Sequence, residues 1–567
     1  MNFVKRAKTL GMHMSAEGSK PLTGGQAIVK ALVAEGVEAV FGIPGVHNLP
    51  IYDALADQPQ IRRITTRHEA GASFMADGYA RSTGKVGVCI AAAGPGVINT
   101  LAGVGTSYVD SVPVMLFASQ IPSTNMNRDL GELHDVKDQL SMVEQVTGWS
   151  TSIASPENAG WAVHEGMKRI RGMRPRPVGI QVPIDILSAT AEVPETAPVP
   201  VSKAAAPAEV VKDGAALVDQ CKDIVILVGG GAVDAGPEVI ELAERLRAQV
   251  ICTSMGLGTV PDDHPLSLGG GFDLAGTLEK RLGGAELVIA IGTRFTFYTT
   301  KGRTLKLGGK LLQIDIDAAE VGKHFRPDVA LIGDAATVLR QLLSSLKTDG
   351  RGVKDSLESD IAELRERGRQ ALRDLFPLEM GLAEAVRRAV PRDGIMAMDM
   401  TGLAYWLKRN AVAYQPRTVL YPVIFGTLGY ALPASIGAQI ANPDKKVVAI
   451  CGDAGFQFSV QELATAVQYG LHFPIVIVND HGYSAIRNRQ KRWFKRAVEG
   501  ELKNPDFQAL ARAYGCNAEN VPPEGLEEAL KRAFASDRMT IIEVNADLTH
   551  PEGIPARLAE VQKKAAQ

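Results

Sequence analysis

Two short runs in the last third of the chain carry its densest oxygen chemistry. The apolar run Val447-Val-Ala-Ile-Cys451 leads straight into Gly452-Asp453-Ala454-Gly455. A second, Ile475-Val-Ile-Val478, ends in Asn479-Asp480-His481-Gly482. Short, wholly apolar runs read as buried parallel strands, and open α/β sheets bind ligands at the carboxyl ends of their strands. Small residues there let backbone N–H groups approach a phosphate, and an expected helix over Val460–Tyr469 would offer its positive N-terminus. Asp453 would repel such a phosphate. A divalent cation between the two resolves the conflict, and Mg²⁺ prefers carboxylate, carbonyl and phosphate oxygens. A single Gly-Asp-Ala-Gly is usually an ordinary turn. Two strand ends joined by one helical crossover, each with oxygen ligands, form a much more specific signal.

These runs need sheets to hold them, and the text supplies three sets. From Leu22, apolar strand-like runs (Ala39–Gly42, Val86–Ala92, Val114–Ala118) alternate with helical periods. A second set opens at Asp223 and continues through Val250-Ile251, Leu287–Ile291 and Leu311–Ile316. The third has strands at Gly394–Asp399, Val447–Cys451, Ile475–Asn479 and Thr540–Asn545. Such alternation predicts an α/β protein with three doubly wound parallel-sheet domains. The expected organisation is a tail at 1–20, an N-terminal domain at 21–190, a Pro-rich linker at 191–208 and a central domain at 209–347. A helical connector at 348–378, a C-terminal domain at 379–547 and a tail at 548–567 follow. The 567 residues suit this, at ~100–200 residues per domain.

Composition excludes several classes. A formal net charge of −2 gives no electrostatic case for nucleic acid or a membrane surface. Five cysteines without a CxxC pair argue against a metal cluster or disulfide framework. No apolar run approaches the ~18–20 residues that span a bilayer. A cytoplasmic protein is the expectation.

The segment from Ile436-Gly437 through Pro443 and Val448–Gly455 resembles the signature of thiamine-diphosphate enzymes. Among these the chain is most similar to the acetolactate synthase, pyruvate oxidase and 2-oxo-acid decarboxylase group, over roughly residues 22–546. Phe41-Gly-Ile-Pro-Gly45 and Arg67-His68-Glu69 with Ala76-Asp77-Gly78-Tyr79-Ala80 resemble N-terminal segments of the same group. The resemblance implies thiamine diphosphate and Mg²⁺ as cofactors, with Asp453, Asp480 and the Gly482 carbonyl as metal ligands. Asp480 stands where the family usually carries Asn, adding a negative charge at the metal. Glu69 is implied as the carboxyl group that hydrogen-bonds the cofactor's aminopyrimidine ring and favours its imino form; alone it would read as a helix-cap carboxylate. Gly426-Thr427-Leu428-Gly429 resembles the segment that bends the cofactor, with Leu428 as the wedge; otherwise Leu428 reads as core. Thr401-Gly402-Leu403 stands at a further diphosphate contact, and Ala454, Gly455 and Tyr483 complete the implied cofactor set.

The central domain and the substrate are less determined. Gly229-Gly230-Gly231 lacks the dinucleotide spacing. The resemblance allows FAD in the central domain, but no second Arg follows Arg294-Phe295 and no Met-His-Gly stands within Leu268–Phe272. The acetolactate synthase Trp nine residues beyond the metal ligand is Arg489 here, and the benzoylformate-type His is Ala92. Residues that could line the site instead are His47, His134, Gln120 and Tyr483. His47 and His134 could relay protons, although a lone loop histidine is usually just solvated. Val46-His47 and Gly131–Asp135 resemble guanidino-oxo-acid decarboxylases. Arg487, Arg489, Lys491, Arg492, Lys495 and Arg496 read as a solvated helix face, with a carboxylate clamp as the alternative.

The resulting expectation is a thiamine-diphosphate/Mg²⁺ lyase that decarboxylates a 2-oxo acid through a ylid and enamine. It would release an aldehyde or transfer the unit to an aldehyde or ketone acceptor. Alternatives are an acetolactate synthase-like carboligase and a non-catalytic cofactor-binding homologue; Glu69 argues against the last. The resemblance also implies a homodimer or homotetramer with the active site at a subunit interface.

Overall fold

The computed structural model describes residues 20–270, 277–349, 354–410 and 413–551. The expected tails at 1–20 and 548–567 fall largely outside these residues, as do Gly271-Phe272 and part of the expected connector. The chain divides into two compact units. One comprises the residues up to Ala76 with Val86–Arg171 and Pro175–Val201; the other comprises Asp77–Lys85, Gly172–Arg174 and Ser202 onward.

In the first unit, six parallel strands lie in the order Arg62–Thr65, Ala39–Gly42, Gly87–Ala91, Val114–Gln120, Val178–Pro183, Trp149–Ser152. Four of them are buried along their whole length, which their apolar sequences require. Helix Gly24–Ala34 starts on a reciprocal cap: Thr23 Oγ1 accepts from Gln26 N, and Gln26 Oε1 from Thr23 N. It packs Ile28 and Leu32 onto the core with Val40, Ile90, Phe117 and Ile180. Gly25 lets it approach the helix Leu49–Ala56, since a Cβ there would lie 2.5 Å from the Pro50 carbonyl oxygen. The Pro-rich stretch is not extended linker throughout. Thr190–Val193, at its start, pairs antiparallel with Lys20–Thr23.

The second unit holds two parallel sheets. Five strands run in the order Gln249–Cys252, Ile224–Val228, Leu287–Ile291, Lys310–Asp315, Val329–Ile332. Six run in the order Val419–Leu420, Ile395–Met398, Val447–Gly452, Pro474–Asn479, Thr540–Asn545, Asn517–Asn520. The connector helix Leu357–Leu375 puts Ile361 into the core of the first sheet and Leu372 into that of the second.

Each of the three large sheets has a place near its first strand where the connections from two adjacent strands leave in opposite directions, and open sheets form their ligand crevice there. In the N-terminal sheet it lies between Ala39–Gly42 and Gly87–Ala91; in the C-terminal sheet, between Ile395–Met398 and Val447–Gly452. In the central sheet the corresponding glycines pack on each other: Gly231 N donates to the Gly292 carbonyl at 3.0 Å, and Gly229 N to that of Ile291 at 2.8 Å. The triple glycine therefore serves close backbone packing.

Two expectations need correction. The helix expected over Val460–Tyr469 is present as Glu462–Gln468, but it is not the first element after the strand. A short helix, Asp453–Gln457, follows the strand at once, and the next begins at Glu462. The restart is local: the buried Glu462 carboxylate accepts from Thr465 Oγ1 at 2.6 Å in the first turn. The tail expected from 548 also starts later. Leu548 is buried in the core, Thr549 O accepts from Trp406 Nε1 at 2.8 Å, and Thr549 N donates to Glu379 Oε1 at 2.8 Å. Among the described residues, no helix is long and apolar enough to cross a membrane.

Candidate functional site

In the C-terminal sheet, the strand Val447–Gly452 delivers Asp453 to the crevice as a buried residue. Asp453 Oδ2 accepts from Gly482 N at 3.0 Å and from Asn504 Nδ2 at 2.6 Å. Asn504 Nδ2 also donates to Asn479 Oδ1 at 2.8 Å, and Asn479 Nδ2 donates to Glu543 Oε1 at 2.7 Å. These bonds lock the two strand ends into one frame. Gly482 sits against the Gly500 carbonyl, where a Cβ would collide, and Tyr483 N donates to the same carbonyl at 2.9 Å.

Asp480 is the exception to this pairing. Its Oδ1 is buried without a hydrogen-bond partner. Burial pushes its carboxyl up to about 6, opposed by a hydrogen bond from Ser484 and aided by nearby Asp453. A buried, unpaired carboxylate oxygen beside a second carboxylate is unfavourable, and a cation between them would relieve it. The donor set of two carboxylates and a backbone carbonyl is the hard-oxygen kind that suits Mg²⁺. Among the described residues no three His, Cys, Asp or Glu side chains gather as a metal site. Any ion held here would draw its remaining ligands from backbone, phosphate or water.

Across the crevice, Asp399 follows the strand Ile395–Met398 and is fully buried. Its Oδ1 accepts from Met400 N and its Oδ2 from Gly429 N, both at 3.0 Å. A Cβ on Gly455 would stand 2.5 Å from Oδ2. One carboxylate thus fixes the 426–430 loop against the Asp453–Gly455 turn. Burial pushes its carboxyl up to about 6 despite these N–H donors. Gly426 has φ +68°, and Thr427 and Leu428 are only half-buried. Thr401 is buried beside Gly452, with Oγ1 3.0 Å from where a Cβ would be. Leu403 differs from what a cofactor contact requires: its side chain lies fully inside the core, so only its backbone is on offer. Gly402 begins the helix Gly402–Asn410.

In the N-terminal unit, Glu69 is the first residue of the helix Glu69–Thr83. Its Oε2 accepts from Asn99 Nδ2 at 3.0 Å, and its Oε1 faces the space a Cβ on Gly96 would fill, 3.5 Å away. The carboxyl group is therefore half-buried, oriented, and bordered by a glycine. Around the same strand end, Gly45 abuts Ala92, and Gly94 lies under the His134 carbonyl. His47 and His134 meet with ring centroids 5.2 Å apart. Both Nδ1 atoms are buried without partners. Burial first, and then His134, hold the His47 imidazole below its usual pKa, with Glu132 opposing. His134 is no freely solvated loop residue; it adopts φ +68° to reach this contact.

Gln120 lies at the end of its strand, but its Oε1 accepts from Ile121 N at 2.9 Å, so much of its capacity is used locally. Gln139, unremarked in the sequence, connects the edge. Its Oε1 accepts from Gly94 N at 2.8 Å, and its Nε2 donates to the Ser119 carbonyl at 2.9 Å. Asn99, Gln139, Asp399, Asn504 and Glu543 all act through contacts at long sequence separation; only Asp399 had a local hint, as the end of a strand. The basic stretch divides. Arg487 is buried and pairs with Glu501 at 2.9 Å, whereas Lys491, Arg492, Lys495 and Arg496 are exposed. Arg489 is half-exposed, with its guanidinium 5.6 Å from the centre of the Trp493 ring.

Comparison with known proteins gives three domain matches. Residues 22–142 match the thiamine pyrophosphate enzyme N-terminal TPP binding domain, 211–342 the central domain, and 399–544 the C-terminal TPP binding domain. A probable 2-ketoarginine decarboxylase of Pseudomonas aeruginosa is 36% identical over 532 residues, covering 93% of this chain and 94% of the relative. An acetolactate synthase isozyme 1 large subunit of Escherichia coli is 33% identical over 530 residues, covering 90% and 92%. A probable acetolactate synthase large subunit of Methanocaldococcus jannaschii is 32% identical over 555 residues, covering 93% and 92%.

Proposed function

The chain belongs to the thiamine pyrophosphate enzymes, and we propose that it uses thiamine diphosphate and Mg²⁺ to decarboxylate a 2-oxo acid, releasing CO₂ and an aldehyde. The observation that carries this reading is the buried, unpartnered Asp480 oxygen beside Asp453, on strand ends already locked together. That arrangement fits a cation bridging to a diphosphate. Bound there, the cofactor supplies the electron sink that makes loss of CO₂ feasible.

The protein's part is positioning and proton handling. Asp453, Asp480 and the Gly482 carbonyl would hold the metal. Gly402, the Leu403 backbone, Thr401, Ala454 and Gly455 line the diphosphate, with Tyr483 closing that end. Gly426, Thr427 and Leu428 would contact the cofactor's middle, on a loop that Asp399 fixes through Gly429 N. Glu69, held by Asn99, donates or accepts a proton at the aminopyrimidine ring. His47 and His134 offer unpartnered ring nitrogens for moving protons at the product oxygen or carbon. Gln120 stands at the same edge.

A 2-oxo acid panel tests the reading, with and without aldehyde acceptors and with and without added cofactor and Mg²⁺. Aldehyde and CO₂ should form only when both are present. A 2-hydroxy ketone as the dominant product would favour the carboligase alternative, to which the acetolactate synthase relatives point. The proposal includes a homodimer or homotetramer whose second copy completes the site; sedimentation should show no monomer at assay concentration.

A further inference from the structure

We infer that the second unit carries a binding site for a small oxyanion bearing a hydroxyl, bicarbonate or dihydrogen phosphate, between the connector helix and the last turn of the helix Gly402–Asn410. A cavity of ≈20 Å³ is lined there by Asp262, Arg365, Arg369, Arg409 and Asn410. That exceeds the ~10–15 Å³ a single water requires. None of these residues belongs to the proposed cofactor set, so the inference stands or falls independently of the reading above.

The cavity is rich in positive charge. The connector helix Leu357–Leu375 presents Arg365 and Arg369 four residues apart, a spacing at which like charges repel. Arg365 Nη1 donates to the carbonyls of Asp262, His264 and Ser267 at 2.5, 3.3 and 3.1 Å, bonds that hold the guanidinium without neutralising it. Burial and then Arg369 hold Arg365 below its usual pKa, with Asp262 and Asp263 opposing. Asp263 is already engaged by Arg392 at 2.9 Å. From the other wall, Arg409 adds to burial in holding Lys301 and Lys408 below their usual pKa. An anion would relieve this repulsion.

A second observation fixes the kind of anion. Asp262 is 5% exposed; its Oδ2 accepts from Ala413 N at 2.9 Å, while its Oδ1 is buried without a partner. Asn410 Nδ2 donates to the Trp406 carbonyl at 3.1 Å, and its Oδ1 is likewise buried without a partner. Buried polar atoms are normally satisfied, so two acceptors on one cavity call for a donor. Water supplies the donor without the charge, and chloride or nitrate the charge without the donor. A hydroxyl-bearing oxyanion supplies both, and guanidinium groups suit its oxygens.

The same carboxyl sets a pH dependence. Burial pushes Asp262 up to about 7, with the Ala413 N–H, Arg369 and Arg365 opposing and Asp263 adding to the rise. Below that point the anion meets a neutral carboxyl; above it, a second negative charge. The nearby Cys252 thiol, pushed up to about 12 by burial and then by Asp262, stays neutral throughout. His264 is engaged elsewhere, its Nδ1 accepting from Leu266 N at 3.2 Å and its Nε2 lying 3.3 Å from Glu244.

The test is calorimetric titration of the full-length protein with bicarbonate, phosphate, nitrate and chloride at fixed ionic strength. Bicarbonate or phosphate should bind at least tenfold more tightly than nitrate or chloride, and the tighter of the two identifies the source. Arg369→Gln should weaken that binding at least tenfold; Arg409→Gln gives the same reading should the first variant not fold. Bicarbonate affinity should fall several-fold between pH 7 and pH 8.5, and Asp262→Asn should bind with no such fall. Nitrate binding as tightly as bicarbonate and phosphate would overturn the inference. So would absence of binding by all four, native affinity in Arg369→Gln, or an unchanged pH dependence in Asp262→Asn.

Discussion

The N-terminal and C-terminal sheets present the same kind of edge and use it in opposite ways. At the C-terminal edge, polar groups are paired within the protein: Asp453 with Gly482 and Asn504, Asn479 with Asn504 and Glu543, Asp399 with Met400 and Gly429. The Asp480 Oδ1 atom, in the place proposed for the metal, is buried without a partner. At the N-terminal edge, His47, His134 and Asp135 all keep unpartnered buried atoms. A frame that must hold a diphosphate and a metal in one geometry benefits from rigidity before binding. Groups that must exchange protons or meet a changing substrate cannot be fully spent on the protein. The C-terminal edge thus spends most of its polar groups on internal rigidity, whereas the N-terminal edge keeps several buried polar atoms without a protein partner.

The largest expected effect falls on the reacting edge. Glu69→Gln keeps the Asn99 contact and the shape of the pocket but removes the ionisable proton. Turnover should fall by about 10²–10⁴-fold, the range for loss of a positioned acid–base group. Cofactor affinity, measured by titration against protein fluorescence, should change little. Unchanged turnover would remove Glu69 from its proposed role. On the anchoring edge, Asp480→Ala should weaken Mg²⁺ binding by roughly 10–100-fold, given loss of one of few ligands. Full retention of metal affinity would show that the unpaired oxygen faces something else.

The same contrast explains what was legible in the sequence. Strands, their order of use and the Gly-Asp-Ala-Gly turn are written locally, because apolar runs and glycines at close approaches constrain their own neighbourhood. Thus the Asp453 and Glu69 positions could be found from short motifs. The bonds that tune them could not. Asn504 reaches back 51 positions to Asp453, and Asn99 reaches 30 to Glu69. Nothing in the pattern around Asn504, Asn99 or Gln139 distinguishes it from an ordinary polar surface residue. The helix read from Val460 begins at Glu462, where the buried Glu462–Thr465 bond sets its first turn, and the short helix Asp453–Gln457 ahead of it left no separate helical period to read.

Asp399 allows a test of rigidity itself. Asp399→Asn keeps the size but turns one acceptor into a donor facing a backbone N–H. One buried hydrogen bond is lost, worth about 1 kcal/mol or somewhat more. Cofactor affinity should fall about tenfold, corresponding to ~1.4 kcal/mol. If the loop at 426–430 were fixed by its glycines alone, affinity would not move.

The smallest effect is also the most specific, because its sign reverses between two substitutions. His47 is held below its usual pKa by burial and then by His134, while Glu132 pulls the other way. If neutral His47 is needed for turnover, the acid limb of the rate profile lies below the range of a free histidine. Removing the neighbouring imidazole in His134→Gln takes away a depressing charge, so the limb should move to higher pH. Removing the carboxylate in Glu132→Gln takes away a raising charge, so the limb should move to lower pH. Profiles of kcat/KM for the native enzyme and both variants, measured with a neutral 2-oxo acid, decide the matter. Opposite shifts would show a charge cluster titrating as one unit at this edge. Shifts in the same direction would mean that the limb belongs to another group, and that the unpaired nitrogen of His47 serves binding alone.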